Sequence, residues 1–171
     1  MIWSRTAFIA RSDTPRRGYS LVEISIVLIL IATVAAIAAP RYARAGDRYR
    51  LDAAAHRIVL DLAEARAIAR SENRTVRVQF STTKHRYTVL DVPDPIDAES
   101  DYRVELDEPP YRVHLVSASF DAKTEVNFNP YGSAVIHPSG RSFDAGTITI
   151  ASGGDQRVIT IDSFTGEATQ P

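Results

Sequence analysis

Twenty-one residues, Tyr19–Ala39, form an almost unbroken apolar run whose only ionisable groups, Tyr19 and Glu23, both stand near its start. As a helix the run is about 30 Å long, the thickness of a bilayer's hydrocarbon core. A charge in such a segment is costly, roughly 2.5–3.5 kcal/mol at mid-membrane on insertion scales, so Glu23 needs a reason to be there. The 18 residues ahead of the run carry Arg5, Arg11, Arg16 and Arg17 against Asp13 alone. By the positive-inside rule this end stays in the cytoplasm and the C-terminal bulk is exported.

Two general readings compete for this segment. One is a secretory signal cut after Ala36-Ile37-Ala38, which explains the arginines and small residues but leaves Glu23 without a purpose. The other is a plain single-pass anchor that is never cut. In either case the chain is a membrane-anchored or secreted domain with an ordinary signal.

A third reading fits more residues. Arg17-Gly18-Tyr19-Ser20-Leu21-Val22-Glu23 resembles the class III leader of type IV pilins and type II secretion pseudopilins: a basic leader ending in Gly, then an aromatic, Ser or Thr, Leu, a variable residue and Glu. Tyr19 stands where Phe is more usual. The resemblance implies cleavage by prepilin peptidase between Gly18 and Tyr19, and N-methylation of the new Tyr19 amine. It also implies assembly with other pilins or pseudopilins through the N-terminal helix. Counted from Tyr19, Glu23 is fifth and Pro40 twenty-second, both positions that this family marks. Electrostatics supports a role for the glutamate. Cleavage leaves a cation at the chain end within the membrane, and pairing it with the Glu23 of a neighbouring subunit recovers much of the cost of both charges. The implied location is the bacterial inner membrane, single-pass, in an assembled pilus or pseudopilus.

Charge and composition limit what lies beyond the segment. Without its leader the chain holds 16 basic and 20 acidic residues, a net charge of −4, which argues against nonspecific nucleic-acid binding as a main activity. There is no cysteine, so an exported domain of this size depends on its hydrophobic core for stability.

Pro40 ends the apolar run and predicts a kink if the helix continues past it. Over residues 41–72, Leu51, Ala55, Ile58, Leu62, Ala65 and Ala69 recur at three- and four-residue spacing and form a narrow stripe rich in alanine. Arg50, Arg57, Asp61, Glu64 and Arg66 are assigned to the opposite, solvated side. From Arg74 the period becomes two. Val76, Val78 and Phe80 alternate with polar neighbours, and further strands are expected at Tyr87–Leu90, Tyr111–Val116, Glu125–Phe128, Ala134–Ile136, Gly146–Ile150 and Arg157–Ile161. Ser152-Gly153-Gly154-Asp155 reads as a hairpin turn. The expected fold is α+β, a long N-terminal helix packed on a C-terminal antiparallel β-sheet domain with one face buried under the helix stripe. Its predicted divisions are a leader at 1–18, a membrane half-helix at 19–39, an amphipathic half at 40–72 and a periplasmic β-rich domain at 73–171.

This order extends the resemblance. Leu62–Ser71 entering Val76–Phe80, then Val126–Gly132, Gly146–Ile150, Arg157–Ile161 and Thr165-Gly166-Glu167, is similar to the GspH/FimT family of minor pseudopilins and pilins. Some members act in DNA uptake, so a DNA-binding minor pilin is the alternative function. It would need exposed basic residues late in the domain, yet the last 30 residues contain Arg157 alone.

Residues 91–108 hold eight acids against Arg103 and read as a long surface loop with room for a short strand, one that could bind a partner or, less readily, calcium, since the EF-hand spacing is absent. His56, His85, His114 and His137 show no metal-ligand spacing, and no nucleophile elbow or phosphate loop is present. The chain therefore reads as structural rather than enzymatic, with no cofactor.

Overall fold

The predicted stripe is the side of the helix that folds inward. In the computed structural model, which describes residues 18–136 and 138–170, Leu51, Ala55, Ile58, Leu62, Ala65 and Ala69 are all buried, with Ala54 beside them. They belong to α1 (Leu21–Ser71). The leader up to Arg17, and His137, lie outside the described residues. The chain divides between Pro40 and Arg41 into two compact units.

Helix α1 ends where its backbone carbonyls find alternative donors. Asn73 takes a left-handed conformation, φ 52°, and the Arg74 amide reaches back to the Ala69 carbonyl at 3.2 Å, the long bond of a Schellman cap. Asparagine tolerates this conformation better than most residues because its short polar side chain does not crowd the carbonyl.

Nine strands follow among the described residues: β1 (Val76–Ser81), β2 (Arg86–Pro93), β3 (Asp101–Glu105), β4 (His114–Phe120), β5 (Glu125–Phe128), β6 (Ala134–Val135), β7 (Gly146–Ser152), β8 (Asp155–Ile161) and β9 (Ala168–Thr169). They form two antiparallel sheets, ordered β3-β2-β1-β5-β6 and β4-β7-β8-β9. Helix and both sheets share one core. Phe80 of β1 meets Phe120 of β4 with ring centroids 5.8 Å apart, and Phe143 continues the aromatic row at 5.7 Å from Phe120. Those rings join the two sheets through apolar contact.

Two expectations change in detail. The strand predicted at Tyr111–Val116 begins at His114 and runs to Phe120, because a bulge between Leu115 and Ser117 resets its alternation. Val113 and Leu115 are buried before the bulge, Ala118 and Phe120 after it, and Val116 is turned out. A single extra residue switches the inward parity from odd to even positions. The acidic stretch is also less of a loop than its composition suggests. Asp91 to Pro93 complete β2 and Asp101 to Glu105 form β3, leaving a short connection between them. Beyond the predicted strands, the tail adds β9, two residues that pair with the end of β8.

The glycine turn behaves as its chemistry requires. Gly153 and Gly154 have φ of 57° and 90°, and they close the β7–β8 hairpin with the positive dihedrals that match strand twist.

Candidate functional site

Each described residue from Gly18 to Ala39 is exposed except Ala38, which is half-buried. The exposed side chains include Leu21, Val22, Ile24, Ile26, Val27, Leu28, Ile29, Leu30, Ile31, Val34 and Ile37, so the helix is apolar around its whole circumference. A helix of that kind is stable only when something other than water surrounds it. Two of its hydroxyls are satisfied locally: the Ser25 hydroxyl donates to the Leu21 carbonyl at 2.8 Å and the Thr33 hydroxyl to the Leu30 carbonyl at 2.8 Å.

Glu23 lies in the first turn of α1, and the Ile24 amide closes that turn onto the Ser20 carbonyl at 3.1 Å. The first-turn position has a value of its own. Unpaired amides there carry partial positive charge, which favours a carboxylate. Ser20-Leu21-Val22-Glu23 also has the spacing of a capping box, a local signal that the family-level reading of this stretch passed over. Tyr19, two residues before the helix, is exposed.

A second constellation lies in the folded domain, where sequence reading placed only solvated charges. Asp61 is 5% exposed and accepts three side-chain donors. The Tyr87 hydroxyl of β2 donates to its Oδ2 at 2.5 Å, and the Tyr102 hydroxyl of β3 to the same oxygen at 2.9 Å. The Arg57 guanidinium approaches one turn earlier on the helix, Nε 3.0 Å from Oδ1, and also donates to the Tyr102 hydroxyl. Asp61 is thus at the edge of the stripe rather than opposite it. Its burial is possible because the positions facing it on the sheet are tyrosines, which bring hydroxyls as well as ring area. Burial, then the neighbouring carboxylate, pushes the Tyr87 phenol well above its ordinary value. The hydrogen bond to Tyr102 raises the Arg57 guanidinium further still.

A cavity of about 110 Å³ adjoins this cluster, walled by Arg57, Glu64, Ile68, Val89, Pro95 and Tyr102 among others. Every polar group of the cluster already has a partner within it, which is the signature of a joint between helix and sheet and not of a poised acid or base.

Other sequence candidates resolve as follows. Asp94 and Asp97 cap their own turn, accepting from the Ile96 amide at 2.8 Å and the Glu99 amide at 3.3 Å. Among the described residues no group of three or more His, Asp or Glu side chains is placed to hold a metal. His85 and His114, remote in sequence, meet edge to face with centroids 4.7 Å apart. Arg157, the late basic residue, is engaged by Asp52 at 2.7 Å, and Arg48 pairs with Asp155 at 2.8 Å.

The sequence profile of the family described as Type II transport protein GspH matches residues 54–166. Among solved structures, the crystal structure of the type IV minor pilin FimU from Pseudomonas aeruginosa strain PAO1 in space group P21 matches with a TM-score of 0.52 at 18% identity, covering 72% of this chain and 90% of that one. The same protein in space group P65 matches with a TM-score of 0.50 at 18% identity, covering 71% of this chain and 92% of that one. These likenesses show the fold. No curated protein sequence matches the chain.

Proposed function

The chain belongs to the GspH family of type II transport proteins, and from that premise we propose that it is a minor pseudopilin or minor pilin subunit of a type II secretion or type IV pilus machine. One observation carries the reading. The apolar half of α1 is exposed on every side, the Gly18-Tyr19 junction comes just before it, and Glu23 stands in its first turn. A bilayer covers such a helix before assembly, and the helices of neighbouring subunits cover it afterwards.

In this account prepilin peptidase cuts between Gly18 and Tyr19 on the cytoplasmic face of the inner membrane, and the new Tyr19 amine is methylated. Glu23 pairs with the terminal cation of an adjacent subunit and sets the stagger between chains. Pro40, at the end of the apolar half, gives the helix a kink. The β-rich domain is displayed in the periplasm. Its role is structural, and its partners are other pilin-like subunits.

Mass spectrometry of the mature N-terminus tests the proposal. The expected product begins at Tyr19 and carries one additional methyl group. A chain beginning near Ala39 would mark an ordinary secretory signal, and an intact Met1 a plain anchor; either result overturns the processing scheme. The DNA-uptake alternative finds no support in the domain's late surface, where the one basic residue of the last 30 is tied to Asp52.

A further inference from the structure

The four arginines that follow the apolar half, Arg41, Arg44, Arg48 and Arg50, equal in number those of the leader. Arginines placed just past the translocated end of a span oppose the charge bias that orients it, so each calls for a compensating contact. Two have one within the domain. Arg48 pairs with Asp155 at 2.8 Å and Arg50 with Asp47 at 3.1 Å. Among the described residues Arg41 and Arg44 have no ion-pair partner, and both are exposed. Arg44 contributes only a through-space attraction to Asp155.

Two tyrosines interleave with them. Tyr42 is 80% exposed and Tyr49 78%, an unusual cost for large rings on a surface meant for water. Arg41, Arg44, Ala45, Arg48, Tyr49 and Asp52 line a shallow groove along this part of α1. Basic groups beside amphipathic rings, immediately after a membrane-length segment, match the chemistry of the headgroup layer.

We propose that Arg41 and Arg44, flanked by Tyr42 and Tyr49, bind the phosphate of anionic phospholipid headgroups at the non-cytoplasmic membrane surface. Helix rise selects these two arginines. Counted along α1, Arg44 is about 5 Å beyond Arg41 and Arg48 about 10 Å beyond it. The interfacial layer on each side of a bilayer is about 5–8 Å thick. Arg41 and Arg44 therefore fall within the layer, whereas Arg48 reaches its outer edge and is already committed to Asp155. Guanidinium groups suit the task because their planar donors meet phosphate oxygens in pairs. Such a hold fixes the depth of the unassembled subunit, and it must be released when the chain leaves the bilayer for a fibre.

The inference rests on the membrane-spanning reading of the apolar half. Its test reconstitutes the full chain into nanodiscs of phosphatidylcholine alone, and of phosphatidylcholine and phosphatidylglycerol in equal parts. Lipids retained by the released protein are then counted by native mass spectrometry. The wild type should retain phosphatidylglycerol over phosphatidylcholine by roughly fivefold per arginine. R41Q/R44Q should lose that preference while R48Q/R50Q keeps it, and added inorganic phosphate should not displace the lipid. A chain that enters both discs but shows no preference, or whose preference survives R41Q/R44Q, overturns the lipid site and leaves the span intact. Loss of association with other pilin-like subunits in R41Q/R44Q, without any lipid preference in the wild type, would assign the arginines to a protein neighbour instead. Failure to enter even phosphatidylcholine discs would sink the span and the lipid site together.

Discussion

Asp61 shows how one side chain can join two elements. Its carboxylate takes donors from Arg57 of its own helix and from Tyr87 and Tyr102 of the sheet. Asp61→Ala would leave two hydroxyls and a guanidinium competing for a gap from which most water is excluded. The expected cost is about 3 kcal/mol, read from equilibrium urea unfolding in detergent solution. A milder change, Tyr87→Phe, is expected to cost about 1–2 kcal/mol at neutral pH through loss of a single charge-assisted hydrogen bond. It should also alter the alkaline limb. The folded phenol is held above its ordinary value of 10.0, so the unfolded chain loses this proton first as pH rises. The stabilisation is complete below pH 10 and declines above it. In Tyr87→Phe that part of the decline should vanish, and unchanged alkaline slopes would refute the assignment. Sequence reading put Asp61 among solvated charges because periodicity registers apolar residues and is blind to hydroxyls arriving from residues 26 and 41 positions away.

At the level of elements, the alanines of α1 decide how closely helix and sheets approach. Ala54, Ala55, Ala65 and Ala69 are buried where larger residues would hold the layers apart. Ala65→Leu should therefore destabilise by about 1–3 kcal/mol through overpacking. Ala63→Leu, on the exposed side two residues away, should stay within about 0.5 kcal/mol of wild type. Equal thermal shifts for the pair would mean that the interface has slack. A close backbone approach lies elsewhere, between the loops that follow β5 and β8. Gly166 sits at φ 71°, where a Cβ would stand 2.0 Å from the Gly132 carbonyl oxygen. Both glycines belong to motifs visible in the sequence, but their proximity is not legible there, since 33 intervening residues fold between them. The bulge in β4 was equally hidden. An added residue leaves no compositional mark, and only the partner strand reveals which position has none opposite it.

For the whole molecule, the controlling fact is a helix half with no interior to occupy. Glu23→Ala should leave membrane insertion intact, measured as resistance to alkaline extraction, and reduce co-isolation with other pilin-like subunits by roughly tenfold or more. Normal co-isolation would remove Glu23 from assembly and leave it the first-turn role that its position in α1 already supports. The membrane-length run, the stripe of α1, most of the strands and the β7–β8 turn could all be read from the chain itself. These are local properties: hydropathy over one segment, a period of 3.6 or 2, and a pair of glycines each act within a few residues. Tertiary structure alone divided the strands into two sheets, drew Asp61 inward to its tyrosines, moved the frame of β4 and, among the described residues, left Arg41 and Arg44 without an ion pair while giving Arg48 and Arg157 their acids. Each of those outcomes depends on which distant residues become neighbours, and that is settled by simultaneous packing of helix and both sheets around one core.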